Sequence, residues 1–185
     1  VIYRTKVDNS LDKYFMEVSL KMSDRMEWEE EDDVPRMYYA MAKLFEAGTD
    51  PLSLTIEACR AKGTLILASY RMNAEDWYEH TWQLSDFGRA HPEWRMRLTE
   101  EEKLQVAKEG APRELRGCLD PAIPGVMEHR LEMFAEVLED YDIDGIELDF
   151  RRWTHMISDP LNNHPILTNM VKETRRLLDE VAQRK

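Results

Sequence analysis

The sequence predicts an α/β fold, specifically part of a (β/α)8 TIM barrel with about four βα units and parallel strands. Strand and helix signals alternate along the chain, as they do when βα units build a parallel sheet. The stretch from Asp144 to Phe150 has the composition of a buried strand, yet it carries acidic residues at alternate positions. That combination suits a barrel strand, which packs against helices on one face and points into the barrel on the other.

The two faces of this stretch follow from strand geometry, because successive side chains point in opposite directions. One face is apolar and contains Ile146, Leu148 and Phe150. The opposite face contains Gly145, Glu147, Asp149 and Arg151. Buried charge is costly unless it is paired, so the ionisable face is expected to open into a site at the mouth of the barrel.

The remaining elements can be placed in order. A first strand is expected at Val1–Lys6, followed by a helix at Pro35–Glu46. The next helix spans Asp50–Lys62, with Asp50 as N-cap, Pro51 in the first turn and Gly63 as its stop. A second strand is expected at Thr64–Arg71.

A long connection from Met72 to about Pro112 comes next, with short helices expected at 74–82 and 99–108. Connections of this length are usually functional or disordered. A third strand is expected at Leu115–Asp120. The helix that follows, Pro124–Tyr141, has an apolar stripe with helical spacing: Met127, Leu131, Phe134, Leu138 and Tyr141.

The fourth strand is expected at Asp144–Phe150, and a loop at 151–164 leads to a last helix at Pro165–Ala182. Its expected buried side consists of Leu167, Met170, Val171, Leu177, Leu178 and Val181. Eight strands and about 250 residues are typical of a closed barrel. Residues 1–185 are therefore expected to be one partial domain, the N-terminal half of a barrel truncated at both ends. Its open sheet edges predict possible self-association.

Composition limits the function. A net charge of −12 argues against general nucleic-acid binding, which needs basic surfaces. No apolar run is long enough to cross a membrane. The positions of His80, His91 and His155 match no metal-ligand spacing, so neither a metal nor a cofactor is predicted. The sequence does not indicate a compartment.

Polar residues gather at the ends of the predicted strands, where barrel enzymes place their catalytic groups. Asp149 is the first catalytic candidate, as general acid, nucleophile or ligand of a substrate hydroxyl, although an ion pair with Arg71 or Arg151 is the alternative. Glu147 is the second catalytic candidate, or an orienting group paired with Arg71 or Arg4. Arg71 and Asn73 either bind substrate hydroxyls or neutralise these acids.

Further substrate contacts are expected from Asp120, Arg151, Trp77, Trp153 and His155. Aromatic side chains on barrel loops suit the apolar faces of sugar rings, although they can also pack as a lid. Trp82, Trp94, Phe87 and His91 belong to the same group of loop residues.

Several of these motifs resemble one known family. They are Asp50-Pro-Leu, the strand end Ser69-Tyr-Arg-Met-Asn73, His91-Pro-Glu-Trp94, Cys118-Leu-Asp120 and the segment from Tyr141 to Arg151. In order and spacing they resemble bacterial glycoside-hydrolase-like proteins with a TIM barrel, the glycosyl hydrolase-like 10 group, over roughly Asp50–Lys185. The resemblance implies a glycoside hydrolase that acts on a polysaccharide or oligosaccharide.

A looser similarity links the fourth strand to chitinase-type hydrolases. Asp144, Gly145 and Asp149 fit that signature, whereas Glu147 replaces its middle Asp and Arg151 stands where its acid Glu is expected. A carboxylate pair is required for glycoside hydrolysis. Glu147, Asp120 or a strand beyond Lys185 could supply the partner of Asp149. The alternatives are a non-catalytic carbohydrate-binding barrel and a half-barrel that acts as an assembly module.

Overall fold

The computed structural model describes residues 5–7, 33–72, 85–96, 100–101, 118–150 and 156–185. Within these ranges the structure delimits five α-helices, a 3₁₀ helix at Pro92–Trp94 and two strands, and residues 100–101 are also helical. The helices are α1 (Asp33–Glu46), α2 (Pro51–Arg60), α3 (Asp86–Ala90), α4 (Pro124–Asp140) and α5 (Pro160–Arg184). The strands are β1 (Leu67–Arg71) and β2 (Gly145–Asp149). This mixed composition agrees with an α/β class.

The two strands pair directly and in parallel, from Leu67 beside Gly145 to Arg71 beside Asp149. Both faces of a parallel sheet are normally covered. One face of this pair packs against helices: Phe134 of α4 and Met170 of α5 form a core with Ile146 and Leu148. The paired strands are therefore held on one side by α4 and α5.

The start of β1 is packed by α2. Leu52 and Ile56 on α2 contact Ile66, Ala68 and Val137 in a second buried cluster. α2 begins as the sequence predicts, because the Asp50 side chain accepts a hydrogen bond from the Ser53 backbone N–H at 2.7 Å.

A polar clamp joins the chain before β2 to the chain before β1. The Asp144 carboxylate accepts a hydrogen bond from the Ile66 backbone N–H at 2.7 Å, and Arg60 binds the same carboxylate at 2.9 Å. The backbone N–H of Asp144 in turn donates to the Ile66 carbonyl at 2.8 Å. The Ile66 hydrogen bond, followed by Arg60, lowers the pKa of Asp144 below its ordinary value. The clamp fixes the register at the amino ends of the strands.

Parts of two predicted strands, residues 1–4 and 115–117, lie outside the described residues, and the described remainder of each does not form a strand. Residues 5–7 are not a strand; Thr5 donates to the Glu136 side chain on α4, and Lys6 pairs with Asp140. Leu119 forms only an isolated antiparallel bridge with Arg95. β1 pairs directly with β2, so no other strand lies between these two.

The last helix begins earlier than predicted, at Pro160, and contains Pro165. Proline lacks the N–H that would bond the carbonyl four residues earlier. Here the His164 ring lies 3.1 Å from the Leu161 carbonyl, which gives that oxygen a partner. Val171 was expected on the buried side and is 47% exposed, so that assignment is wrong. In the described part of the chain, no helix is long and apolar enough to span a membrane.

Candidate functional site

The carboxyl ends of β1 and β2 lie side by side. The register places Ser69 beside Glu147 and Arg71 beside Asp149. The Met72 backbone N–H donates to the Asp149 carbonyl at 3.0 Å, so the hydrogen bonding between the two chain segments continues one residue beyond Arg71. Arg71 and the two acidic residues that the sequence singled out therefore meet at one edge of the sheet.

Asp149 is a buried acid at this edge. Only 4% of its side chain is exposed, and its Oδ2 lies 3.7 Å from the Nε atom of Arg71, whose own side chain is 45% exposed. An opposite charge at this distance favours the ionised carboxylate, whereas burial opposes it. The predicted contact between Asp149 and Arg71 is thus present, with the carboxylate inside and the guanidinium reaching toward solvent.

Glu147 occupies the same face of β2 two residues earlier and is exposed. Two residues along a strand correspond to roughly 6.6 Å between Cα atoms. Among the described residues Glu147 makes no ion pair, so it does not share Arg71 with Asp149. The two carboxylates therefore differ in environment, one buried beside a cation and the other open to water.

Asp120 is buried for a different reason. Its Oδ1 accepts hydrogen bonds from the backbone N–H groups of Ala122 at 3.0 Å and Ser158 at 3.2 Å. These bonds tie the turn before α4 to the chain that follows β2. Asp120, which the sequence predicted as a substrate contact, therefore holds these two segments together.

The other predicted substrate contacts lie outside the described residues. They are Asn73, Trp77, Arg151, Trp153 and His155.

Four rings from the loop after β1 and from α4 pack on one another. The His91 ring stacks on Trp94 with centroids 3.8 Å apart, and the Phe87 ring stacks on His129 at 3.7 Å. Phe87 also meets Trp94 edge-on at 5.5 Å. For Phe87, His91 and Trp94, these contacts match the alternative in which loop aromatics pack as a lid.

Sequence reasoning missed a buried arginine on α4. Arg130 is 4% exposed and lies four residues from both Val126 and Phe134, which are 0% and 2% exposed. The available signal was its spacing, since residues four apart share a helix face. A cation therefore occupies the apolar stripe of α4.

No metal site is evident in the ranges that the structure describes: no three His, Cys, Asp or Glu side chains there come together as ligands.

The fold and the polar strand ends define a class, an α/β protein with acidic residues at the carboxyl end of a parallel sheet. Comparison with protein families refines this. The glycosyl hydrolase-like 10 model matches residues 18–164, well over half of the chain. The chain belongs to the glycosyl hydrolase-like 10 family, as its motifs indicated. Comparison with curated proteins gives no significant match. Family membership suggests a glycoside-hydrolase-like function and carbohydrate binding.

Proposed function

We propose that this chain is part of a (β/α)8-barrel glycoside hydrolase that acts on a polysaccharide or oligosaccharide. The observation that carries the proposal is the buried Asp149 carboxylate beside Arg71 at the carboxyl end of β2, in a chain that belongs to a glycosyl hydrolase-like family. Barrel enzymes place catalytic groups at the carboxyl ends of their strands.

The open face of the sheet supports the barrel. Leu65 is 77% exposed and Leu67 is 59% exposed, and Leu67 lies on the same face as Glu147 and Asp149. The interior of a barrel is filled by layers of large aliphatic side chains from its strands. Leu67 is a large aliphatic residue on the face that would line the interior of the barrel. Glu147 and Asp149 lie on the same face, nearer to the mouth of the barrel.

The surroundings of the two carboxylates favour different roles. The contact of Asp149 with the Arg71 guanidinium suits a carboxylate that acts as nucleophile or as general base. The acid that protonates the leaving oxygen is then another carboxyl group, and Glu147 is the first candidate because it lies on the same face. Retaining enzymes hold the two groups about 5 Å apart, and inverting enzymes hold them roughly 6.5–9.5 Å apart. Asp120 is the weaker candidate, since two backbone N–H groups already engage it.

Substitution of Asp149 by Asn tests the proposal in the full-length protein. We expect the release of reducing ends from a polysaccharide panel to fall by about 10²–10⁴-fold, the range for loss of an acid–base group. Asp179→Asn, at an exposed position on α5, is the matched control and should keep full activity. An Asp149→Asn variant with undiminished activity would disprove the role of Asp149.

A non-catalytic carbohydrate-binding protein is the second candidate. It is favoured by Arg151, which stands in the sequence where the acid Glu of chitinase-type hydrolases is expected. Oligosaccharides would then quench tryptophan fluorescence without any release of reducing ends.

A further inference from the structure

The guanidinium of Arg71 is half exposed at the acidic edge of the sheet. Its ion pair with Asp149 joins Nε to Oδ2 at 3.7 Å, which is longer than a hydrogen bond. Among the residues that the structure describes, Arg71 makes no hydrogen bond. A guanidinium carries five N–H donors in a planar fork. The contact with Asp149 therefore leaves the donors of Arg71 available to a ligand.

Glu147 lies on the same open face as Arg71 and is exposed. The register sets it beside Ser69, one strand across from Arg71 and two residues back. These steps correspond to roughly 8 Å between the Cα atoms of Arg71 and Glu147. Helices α4 and α5 pack on the opposite face of the two strands. A ligand can therefore approach Arg71 and Glu147 together from the open side of the sheet.

The chemistry of these two side chains selects a hydroxyl group. Arg71 only donates hydrogen bonds, whereas the carboxyl oxygens of Glu147 accept them. A hydroxyl accepts from the first and donates to the second through the same oxygen. An anion has no hydrogen to offer Glu147, and the carboxylate of Asp149 beside Arg71 would repel it. A cation fits no better, because the guanidinium repels it.

We propose that Arg71 and Glu147 together bind the hydroxyl groups of an uncharged sugar unit beside Asp149, so that the substrate class is a neutral saccharide. The choice of a saccharide rests on the proposed function, and the choice of hydroxyls rests on the two side chains. Arg71 then has two tasks. Its Nε stays next to Asp149, and its terminal nitrogens donate to neighbouring hydroxyl oxygens of the sugar ring, which suit the planar fork.

Calorimetric binding to the full-length protein tests the inference in an Asp149→Asn background. That substitution removes the charge with which Arg71 pairs, so a remaining effect of Arg71 reports contact with the ligand. The probes are neutral hexasaccharides of glucose, xylose and mannose. Addition of Arg71→Met should weaken the binding of the best probe by about 10–100-fold, the range for hydrogen bonds to a charged group. Addition of Arg175→Met, at an exposed position on α5, is the matched control and should leave the affinity unchanged.

In the wild-type background, Arg71→Lys separates sugar binding from pairing with Asp149. Lysine keeps a positive charge beside the carboxylate but lacks the planar fork. The variant should therefore keep the Tm of the wild type, while the KM for the best neutral probe rises by about 10-fold and kcat changes less. A lower Tm with an unchanged KM would give Arg71 a structural role only and would overturn the inference.

Other binding results would also overturn it. Equal affinities with and without Arg71→Met in the Asp149→Asn background would show that Arg71 does not touch the sugar. A hexasaccharide of galacturonate that binds through Arg71 as tightly as the best neutral probe would show that this edge accepts anions. Failure of every neutral probe to bind would exclude the neutral class.

The inference and the proposed function can fail separately. Binding that depends on Arg71, without release of reducing ends from any probe, would leave the saccharide site and overturn the hydrolase. Release of reducing ends at a KM that neither Arg71 variant changes would leave the hydrolase and overturn this role of Arg71.

Discussion

Gly125 lies in the first turn of α4 where the Trp94 ring covers the backbone. A Cβ atom at this position would lie 2.3 Å and 2.5 Å from two atoms of that ring. The ring is also stacked on His91, so a shift to make room disturbs a second contact. The absence of a side chain at residue 125 is therefore what lets the loop before α4 pack on this helix.

Gly125→Ala should destabilise the protein by about 1–3 kcal/mol, the usual cost of overpacking. A loss of stability would be informative, because Ala is otherwise a better helix former than Gly by about 1 kcal/mol. Urea unfolding measures the change. In a Trp94→Ala background the clash is gone, so the same substitution should be neutral or stabilising. Equal destabilisation in both backgrounds would show that Trp94 is not the cause.

Ionisation of Asp144 makes the stability of the folded protein depend on pH in the acidic range. Its pKa is lowered, first by the Ile66 N–H bond and then by Arg60, from an ordinary value of 3.8. A carboxyl group whose pKa is depressed on folding contributes stability above its unfolded pKa, and that contribution is lost as the pH falls through the folded value. The clamp is therefore fully effective at neutral pH and weakens below about pH 4.

Asp144→Asn should lower the urea midpoint at pH 7, and the difference from the wild type should shrink between pH 4 and pH 2. Asp142→Asn is the comparison, because Asp142 also binds Arg60, whereas the Ile66 N–H donates its hydrogen bond to Asp144. It should change the midpoint less. A constant difference for Asp144→Asn across the pH range would mean that ionisation of this group does not contribute.

At the scale of secondary structure, the helices and the two paired strands were largely predictable from the sequence, whereas the isolated bridge at Leu119 was not. Caps such as Asp50 and the apolar stripe of α4 are local features, so the sequence contains them directly. Strand pairing depends on distant partners. Leu119 forms a bridge with Arg95, and no local sequence pattern shows that these two distant residues meet. The exposure of Val171 likewise depends on which neighbours reach α5, and not on helical spacing alone.

The packing of α4 on the sheet depends on Phe134. This side chain is 2% exposed and lies in the core with Met72 and Met170. Phe134→Ala should cost about 3–5 kcal/mol, because both apolar burial and close packing are lost. The control is Leu161→Ala on α5, which is 86% exposed and should stay within about 0.5 kcal/mol. A small effect at Phe134, measured by urea unfolding, would contradict the packing of α4 on β1.

For the molecule as a whole, the sequence located the acidic edge of the sheet but not the buried cation on α4. Alternation in β2 predicted which face carries Glu147 and Asp149, because strand parity is a local property. Arg130 was missed because helical spacing assigns a face without showing whether a charge on that face has a partner. That fact emerges only from the packed structure.

The open face of the sheet leads to a prediction about association. Leu65 and Leu67 are mostly exposed, and Leu67 lies on the face of β1 opposite α4 and α5. Exposed apolar surface favours contacts between chains. Leu67→Lys should leave the free energy of unfolding within about 0.5 kcal/mol, since an exposed side chain is replaced. It should also shift sedimentation velocity toward the monomer at high concentration. Leu161→Lys, at a more exposed position on α5, should leave association unchanged. If Leu67→Lys instead unfolds the chain, Leu67 is buried in solution. The exposed sheet face would then support neither the association nor the barrel.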